Sequence, residues 1–483
     1  MGSLRDKYEL VVGLEVHAQL STNTKAYCND STEYGASPNT QTSPITLGHP
    51  GTLPKSNSKV VEYAVKMGIA CGSTIRECNE YSRKNYFYPD LPKGYQITQD
   101  TTPICNGGAI NIKDANGDTK PINITRIHME EDAGKSIHDL DPFNSLVDLN
   151  RAGVALIEIV SEPDIRTSDE AYQFLGEIRK LVRYLDICDG NLEEGSLRCD
   201  ANISVMLKGS KTFGNRAEVK NMNSLRNVKR AIEHEMNRQI EILENGGVVE
   251  QQTRSFNANT GTTSLMRSKE DANDYRYFPE PDLQPVLVTE EYIETIKKSL
   301  PPLPKELFRK FTNEYGLSEY DTNVIIEEKE IALYFNELCQ HTNNYKAAAN
   351  FVNGSIKSYL NESAIEMSQF SISTKRLAQL IQLVDDGKVS YSVATQKIFG
   401  ELIGNDISPE EIAIKNNWIQ ESNTDALQSF VEEAIAKYPE KVLEYKAGKK
   451  GLIGLFMGEV MKLSRGNADP KIANQLVREA LEK

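Results

Sequence analysis

Residues 8–20 read YELVVGLEVHAQL, a run in which polar and apolar residues alternate. Side chains of an extended strand point alternately to its two faces. Glu15, His17 and Gln19 therefore share one face, and the apolar residues between them share the other. A carboxylate and an imidazole two residues apart on a strand can both reach one cation. The alternative interpretation is the solvated outer face of an ordinary amphipathic strand.

Further strand-like runs follow, among them INITRIHMEEDAG at residues 122–134 and RCDANISVML at residues 198–207. Apolar residues at helical spacing predict helices over Ser168–Leu185 and Val228–Leu243. Because the strands do not alternate strictly with helices, this part of the chain is predicted to have an α+β fold.

Two breaks divide the chain. The proline-rich stretch at residues 300–304 predicts a stiff boundary, beyond which the sequence is helical almost throughout. A second break is expected near residues 404–409, where glycine, asparagine and proline cluster. For a chain of 483 residues, we therefore predict three domains, at residues 1–295, 296–405 and 406–483.

The charge and the cysteine content of the chain exclude some classes of function and favour others. The formal net charge of −14 excludes a uniformly basic nucleic-acid binder. Residues 441–483 nevertheless carry nine basic and five acidic residues, a local charge of +4 that suits a polyanionic partner. Seven cysteines without a CxxC pair favour free thiols. Because no apolar run approaches the ~20 residues of a membrane span and the polar start lacks a signal peptide, we expect a cytoplasmic protein.

Acidic residues recur on several predicted strands. The run HMEEDAGKS at residues 128–136 places Glu130 and Glu131 before Lys135, a pattern that suits a divalent cation beside a phosphate. Its alternative is an acidic surface turn. Asp200 and Glu218 lie on two further strands, each of which is by default an ordinary amphipathic strand. If the strands bring these acids to one surface, their mutual repulsion favours a bound cation.

Two segments interleave basic and aromatic residues. They read RKNYFYPDLPKGYQ at residues 83–96, which begins with Arg83 and Lys84, and DYRYFPEPD at residues 274–282. Such a mixture can stack a nucleobase or hold a phosphate. The alternative is a loop with an aromatic anchor in the core and exposed lysines.

In order along the chain, these motifs resemble those of the B subunits of aspartyl/glutamyl-tRNA amidotransferases. The resemblance covers essentially the whole chain and rests on these segments: GLEVHAQL (13–20), RKNYFYPDLPKGYQI (83–97), HMEEDAGKS (128–136), DLNRAGVALIEIVSEPDI (148–165), EEGSLRCDANIS (193–204), EVKNMNSL (218–225) and DYRYFPEPDL (274–283). The archaeal-type relative carries a synthetase-like insertion that this chain lacks.

The resemblance implies a glutamine synthetase-like cradle domain, then an all-helical domain and a YqeY-like helical tail that grips tRNA. It implies ATP-dependent phosphorylation and amidation of Glu or Asp mischarged on tRNA(Gln) or tRNA(Asn), giving Gln-tRNA(Gln) or Asn-tRNA(Asn). A glutaminase A subunit would deliver the ammonia, and a small C subunit would complete a heterotrimer. No membrane partner is implied.

The resemblance implies the metal ligands of the site, whereas Lys135, Lys84 and Arg83 are assigned from the residue patterns described above. The expected ligands of Mg²⁺, with Mn²⁺ also admitted by the histidine, are Glu15, His17, Glu131, Glu218 and Asp200. The residues expected to act in catalysis are Glu131, Glu130 and Lys135. The residues expected to contact ATP are Lys135, Lys84 and Arg83. Many relatives carry a four-cysteine zinc knuckle after the first strand, but here only Cys28 remains in that stretch, so we expect no zinc.

Two other functions compete with this one. A tRNA-binding scaffold without its own catalysis would gain nothing from clustered carboxylates. A free-standing ligase similar to glutamine synthetase would leave the basic tail unexplained. Mg²⁺-dependent ATP turnover that mischarged tRNA stimulates would distinguish an amidotransferase from both of them.

Overall fold

The structure, a computed structural model, describes residues 2–138, 140–268, 275–420, 424–464 and 468–482. Asp274 and Arg465, which belong to the second aromatic segment and the basic tail, lie outside these ranges. The chain divides into two compact units, Met1–Leu303 and Pro304–Lys483. This division falls within the proline-rich stretch at residues 300–304. The division into three domains stays a prediction.

The first unit combines strands with a few helices, so the predicted α+β fold class is confirmed. Its strands are β1 (Tyr8–Gln19), β2 (Thr74–Ile75), β3 (Cys78–Asn79), β4 (Ser82–Asn85), β5 (Tyr95–Thr98), β6 (Cys105–Asn106), β7 (Ala109–Lys113), β8 (Thr119–Glu131), β9 (Lys135–Ile137), β10 (Leu146–Asp148), β11 (Ala155–Ser161), β12 (Leu197–Leu207), β13 (Ala217–Lys220), β14 (Gln252–Asn257), β15 (Thr262–Ser268), β16 (Phe278–Pro279) and β17 (Val286–Leu287). Its helices are α1 (Gly2–Arg5), α2 (Ser58–Cys71), α3 (Ser168–Tyr184), α4 (Leu225–Glu244) and α5 (Glu290–Ser299).

Strand β1 lies at the centre of a ten-stranded sheet with the order β15-β14-β13-β12-β1-β11-β8-β6-β2, in which β7 also pairs with β8. Both neighbours of β1, β11 and β12, run antiparallel to it. On one face of the sheet, Leu14 and Val16 of β1 are fully buried in the same core as Phe174 of α3 and Ile232 of α4. The helices thus cover the apolar face, and the polar face is left for the site.

Helices α3 and α4 confirm the two helices predicted from apolar spacing. Thr167 begins α3 by accepting a hydrogen bond at its hydroxyl from the Glu170 amide at 3.1 Å. Ser224 caps α4 in the same way, so α4 begins at Leu225, slightly before the predicted start. Such side-chain caps satisfy backbone amides that have no partner inside the helix.

The loop that follows β1 is held by hydrogen bonds among its own side chains. Asp30 Oδ2 accepts from the Ser43 amide at 2.8 Å and from the Thr46 hydroxyl. The sulfur of Cys28 lies 3.4 Å from Thr46 Oγ1. The fully buried Lys25 donates to the Gln41 carbonyl at 2.7 Å. The absence of zinc from this loop stays a prediction.

The second unit is helical over its described residues. Its α-helices are α6 (Pro304–Asn313), α7 (Glu319–Ile326), α8 (Lys329–Leu338), α9 (Tyr345–Phe351), α10 (Lys357–Ser363), α11 (Thr374–Asp385), α12 (Tyr391–Val393), α13 (Phe399–Leu402), α14 (Pro409–Lys415), α15 (Thr424–Lys437), α16 (Pro439–Lys446), α17 (Ile453–Leu463) and α18 (Pro470–Glu482). Shorter π-helical and 3₁₀ segments are Val352–Ile356, Ala394–Ile398, Met367–Gln369 and Lys450–Leu452. Helices α15, α17 and α18 share a core that includes Leu427, Phe456 and Val477. None of the helices in the described ranges is long and apolar enough to cross a membrane.

The packing of α3 on the sheet predicts that two neighbouring aromatic residues contribute very differently to the free energy of unfolding. Phe174 is fully buried, whereas Tyr172 is 44% exposed. Phe174→Ala should lower the free energy of unfolding by about 3–5 kcal/mol because it leaves a cavity under the sheet. Tyr172→Ala should change it by no more than about 0.5 kcal/mol. Denaturant unfolding measures both values, and similar losses for the two variants would contradict this packing.

Candidate active site

The register of four strands brings polar residues together across the sheet. Glu15 on β1 pairs with Asp200 on β12, and His17 on β1 pairs with Glu158 on β11. Glu158 pairs in turn with His128 on β8. Directly opposed residues on one face of a sheet have neighbouring side chains. The polar face of the sheet therefore gathers acids and histidines from separate parts of the chain.

Ligand atoms of His17, Glu130 and Glu158 all lie within 4.8 Å of one another, and this group is called here the histidine cluster. The Nε2 atoms of His17 and His128 each lie 3.3 Å from Glu158 Oε2. Glu130 Oε1 is buried and has no hydrogen-bond partner, and its nearest cation, Lys84 Nζ, lies 3.5 Å away. A buried oxygen without a partner costs free energy, and a bound cation would remove that cost.

The histidine cluster is strongly coupled electrostatically. Burial opposes charge on Glu158, but His17 and His128 outweigh it and hold the pKa of Glu158 well below its usual range. Burial likewise opposes charge on His17, and the Glu158 carboxylate raises the pKa of His17 overall. Burial also opposes the charge on Lys84, but Glu130 raises the pKa of Lys84 overall. Positive charge beside Glu130 and Glu158 is therefore favoured.

A second group, called here the carboxylate cluster, contains Glu15, Asp200 and Glu218, whose oxygens also lie within 4.8 Å of one another. The ammonium group of Lys220 contacts Asp200 and lies 2.7 Å from Glu218 Oε1. Asn202 Nδ2 donates to Glu15 Oε1 at 2.8 Å. Burial and the Glu158 carboxylate raise the pKa of Glu15. Three carboxylates thus face one ammonium group, an excess of negative charge that suits a divalent cation.

A cavity of about 620 Å³ opens over this face of the sheet. Both clusters contribute to its wall, through His17 and Glu130 on one side and Asp200 on the other. The cationic side chains along its wall are those of Lys84, Arg198 and Lys220. Binding pockets for small molecules commonly have volumes of about 300–1,000 Å³. The cavity is thus large enough to hold a nucleotide or the end of a larger substrate beside the acids.

Arg198 is fixed on the floor of this cavity. Its Nη2 atom donates to Asp132 Oδ2 at 2.7 Å, and Gln19 Nε2 donates to the same oxygen at 2.6 Å. Burial would raise the pKa of Asp132, but Arg198 and Arg151 lower it overall. Asp132 therefore stays charged and orients the guanidinium group of Arg198.

The structure does not bring Glu131 to either cluster. Glu131 lies on the same face of β8 as the core residues Ile127 and Met129, opposite to Glu130. Its carboxylate contacts the ammonium group of Lys93 and accepts a hydrogen bond from the Ile97 amide at 2.9 Å. In this structure Glu131 is buried in an ion pair with the half-buried Lys93, apart from both clusters.

Two further expected residues also lie apart from the clusters. Lys135 is exposed on β9, where it pairs with Asp148, and it does not line the cavity. Arg83 makes an ion pair with Glu280 at 2.7 Å and packs 4.1 Å from the ring centroid of Tyr95. Of the residues expected from the sequence, those that the polar face brings together are Glu15, His17, Lys84, Glu130, Asp200 and Glu218.

Several residues of the site were not predicted from the sequence, among them Glu158, His128 and Arg198. Glu158 lies in ALIEIVS, a run whose apolar neighbours are typical of a buried strand. His128 and Arg198 lie inside motifs that were recognised, but no role was assigned to them. A single acid within an otherwise apolar strand is the one signal that could have identified Glu158, because an unpaired buried carboxylate is costly.

Comparisons with known proteins agree with this architecture. Residues 10–294 match the family model described as the GatB/GatE catalytic domain, and residues 333–481 match one described as a GatB domain. The B subunit of the aspartyl/glutamyl-tRNA(Asn/Gln) amidotransferase of Geobacter sulfurreducens is 48% identical over 478 residues, which is 98% of this chain and 99% of the relative. The proteins of the same description from Myxococcus xanthus and Chlorobium limicola are each 48% identical, over 98% and 99% of this chain and 98% and 100% of their own length. The resemblance seen in the motifs is confirmed, and the chain belongs to the family of amidotransferase B subunits.

Proposed function

We propose that this chain is the subunit that activates and amidates the side-chain carboxylate of Glu or Asp mischarged on tRNA(Gln) or tRNA(Asn). The observation that carries the proposal is the pair of acidic clusters that contribute His17, Glu130 and Asp200 to the wall of one cavity. Relatives that match over nearly the whole chain are named as subunits of an aspartyl/glutamyl-tRNA amidotransferase. Family and site chemistry thus support the same reaction.

The reaction needs activation because a carboxylate is a poor electrophile. A carboxylate oxygen of the substrate attacks the γ-phosphorus of ATP, the bond to the bridging oxygen breaks, and ADP leaves. Ammonia then attacks the carbonyl carbon, the bond to the phosphate oxygen breaks, and the amide forms with loss of a proton. Charge on the transferring phosphoryl group must be stabilised throughout the first step.

The donor set fits Mg²⁺ or Mn²⁺. The histidine cluster (His17, Glu130 and Glu158) offers an imidazole and two carboxylates, and Glu130 Oε1 has no hydrogen-bond partner. A histidine ligand is unusual for Mg²⁺ and also suits Mn²⁺. The carboxylate cluster offers three oxygen ligands of the kind that Mg²⁺ prefers. When bound, the cations supply neutralisation of the phosphate charge.

The chain's own cations would orient the anionic groups. Arg198 is held in position by Asp132, and its planar guanidinium group can bind a carboxylate or phosphate oxygen. Lys84 and Lys220 lie beside the two acidic clusters, where each ammonium group can also contact a phosphate. Because all three side chains line the cavity, the anionic substrates would meet fixed positive charges among the carboxylates.

The proposal includes partners. A glutaminase A subunit would generate the ammonia, and a small C subunit would complete the heterotrimer. Mischarged tRNA would contact the helical tail as well as the cavity. A protein with these partners would work in the cytoplasm, where tRNA is aminoacylated.

The competing function is that of a tRNA-binding scaffold without chemistry. Carboxylates whose oxygens lie within 4.8 Å of one another repel. A bound cation relieves this repulsion, and tRNA binding alone does not require such a grouping. The test is ATP turnover by the complex with ammonium chloride as the nitrogen source. We expect Mg²⁺-dependent ATP hydrolysis and amide formation that both require mischarged tRNA. Binding of tRNA without any ATP turnover would favour the scaffold.

Two adjacent glutamates provide a matched test of the metal site. Glu130→Gln should weaken Mn²⁺ binding by about 10- to 100-fold and lower phosphoryl transfer about 100-fold or more, because a charged ligand is lost without a change in size. Calorimetry measures the first effect without any activity assay. An unchanged Mn²⁺ affinity would remove Glu130 from the metal site.

Glu131→Gln should behave differently, because the buried Glu131 carboxylate pairs with the half-buried Lys93 rather than with either cluster. Removing one partner of a buried ion pair costs about 3–5 kcal/mol, so the free energy of unfolding should fall. Mn²⁺ affinity should stay close to that of the unaltered protein. If Glu131→Gln instead abolished Mn²⁺ binding and left stability unchanged, Glu131 would be a metal ligand, as the resemblance alone implies.

The tail generates a separate prediction. Lys449 and Lys450 are exposed around the end of α16, and Lys462 is exposed on α17. Replacing all three with alanine should weaken tRNA binding and reduce the slope of log affinity against log salt by about 0.9 for each phosphate that is no longer neutralised. Lys388→Ala, another exposed lysine that pairs with Glu410, is the control. Equal salt slopes for the triple variant and the unaltered chain would mean that these lysines do not contact tRNA.

A further inference from the structure

Two aromatic segments far apart in the sequence meet beside the cavity. Strand β16 pairs with β4, and β4 pairs with β5, which forms a small three-stranded sheet. The Asn85 amide donates to the Tyr275 carbonyl at 2.9 Å, and Asn85 Nδ2 donates to the Arg276 carbonyl at 2.8 Å. The backbone around Tyr275 is thus fixed against the end of β4.

Four tyrosines from the two segments form a chain of rings, called here the aromatic rim. The ring centroids of Tyr86 and Tyr88 are 5.9 Å apart, those of Tyr86 and Tyr275 are 6.1 Å apart, and those of Tyr275 and Tyr277 are 6.0 Å apart. The interplanar angles of these pairs are 68°, 73° and 68°, so each ring turns its edge to the next. Such edge-to-face contacts, in which the edge of one ring meets the face of its neighbour, hold the rings in place.

The two ends of the aromatic rim are exposed. Tyr88 is 55% exposed and Tyr277 is 41% exposed, and the neighbouring Phe87 is 88% exposed. Rings that served only as core anchors would be buried. Several large exposed rings side by side indicate a surface that contacts another molecule.

The aromatic rim is continuous with the acidic site. Tyr86 lines the same cavity as His17 and Glu130. The ammonium group of Lys84 lies 5.1 Å from the ring centroid of Tyr275 and 3.5 Å from Glu130 Oε1. The middle of the aromatic rim, at Tyr86 and Tyr275, therefore adjoins the wall of the cavity.

We propose that the aromatic rim is a nucleobase-stacking site for the unpaired 3′ end of the tRNA substrate, with Tyr88 and Tyr277 as the stacking residues. This proposal rests on the proposed function. The amino acid is esterified to the terminal nucleoside, so its carboxylate reaches the clusters only if that nucleoside lies at the cavity edge. Aromatic rings interleaved with basic residues are the usual surface for unpaired nucleotides. The adenine of ATP could stack on the same rings, and the experiment below distinguishes it from the terminal base of the tRNA.

The probe is an RNA hairpin with a single-stranded 3′ overhang that ends in CCA, in which 2-aminopurine replaces the terminal adenine. Stacking quenches 2-aminopurine fluorescence, so the signal reports the contact itself. The full-length chain should quench the probe. The double variant Tyr88→Ala with Tyr277→Ala should no longer quench it and should bind at least about 5- to 150-fold more weakly, which corresponds to the removal of one stacking interaction.

Two controls accompany the double variant. Tyr88→Phe with Tyr277→Phe keeps both rings and should retain the quenching and most of the affinity. Tyr172→Ala removes a comparably exposed tyrosine from the surface of α3 and should bind as the unaltered chain does. Equal quenching and affinity for the double alanine variant, with unfolding midpoints matched to the unaltered chain, would overturn the proposal.

The source of the base is tested by steady-state amidation kinetics of the complex. The double alanine variant should raise KM for mischarged tRNA and leave KM for ATP unchanged. A raised KM for ATP with unchanged RNA binding would assign the rings to the nucleotide and overturn the proposal. If the double alanine variant binds both RNA and ATP as the unaltered chain does, while the unaltered complex still amidates tRNA, the stacking site is rejected. The proposed function is then unaffected.

Discussion

The site depends on the register of β1 between β11 and β12. That register sets His17 beside Glu158 and Glu15 beside Asp200, so it determines which acids come into contact. A slip of one residue would turn every side chain of β1 to the opposite face. It would expose Leu14 and Val16, which are now fully buried, and force Glu15 and His17 into the apolar core. The cost of burying them fixes the register and, with it, the geometry of the clusters.

The same arrangement links cation binding to stability. The carboxylate cluster opposes three acids to one lysine, and the histidine cluster leaves a buried oxygen of Glu130 without a hydrogen bond. Both features raise the free energy of the folded chain, and the proposed cations would remove that cost. The core that Phe174 and its neighbours form beneath the sheet must offset that cost. A ligand that binds only the folded state then stabilises it by mass action.

Much of this architecture follows from the sequence. Strict alternation places Glu15 and His17 on one face of a strand, and apolar spacing locates α3 and α4. The strands that pair with β1 could not be predicted from the sequence, because strand pairing is set by contacts between residues that are distant along the chain. Glu158 was therefore missed, since its own strand has the apolar pattern of a core strand.

The adjacent residues Glu130 and Glu131 show most clearly which parts of the site cannot be predicted from the sequence. Both are glutamates of the same motif, so the motif does not distinguish them. Because side chains alternate along a strand, Glu130 points to the cavity and Glu131 points to Lys93. Only the phase of β8 relative to its core residues distinguishes the two. Likewise, the sequence marks Arg83 and Lys84 as one basic pair, whereas β4 turns Arg83 to Glu280 and Lys84 to the cavity.

The proposed function requires divalent cations to bind on the polar face of the sheet. Anomalous diffraction from crystals of the full-length chain grown with Mn²⁺ tests it most directly. The predicted result is an anomalous peak among His17, Glu130 and Glu158, and a second among Glu15, Asp200 and Glu218. A Mn²⁺ peak at Glu131, or a fully ordered cavity with no peak at millimolar Mn²⁺, would contradict the account.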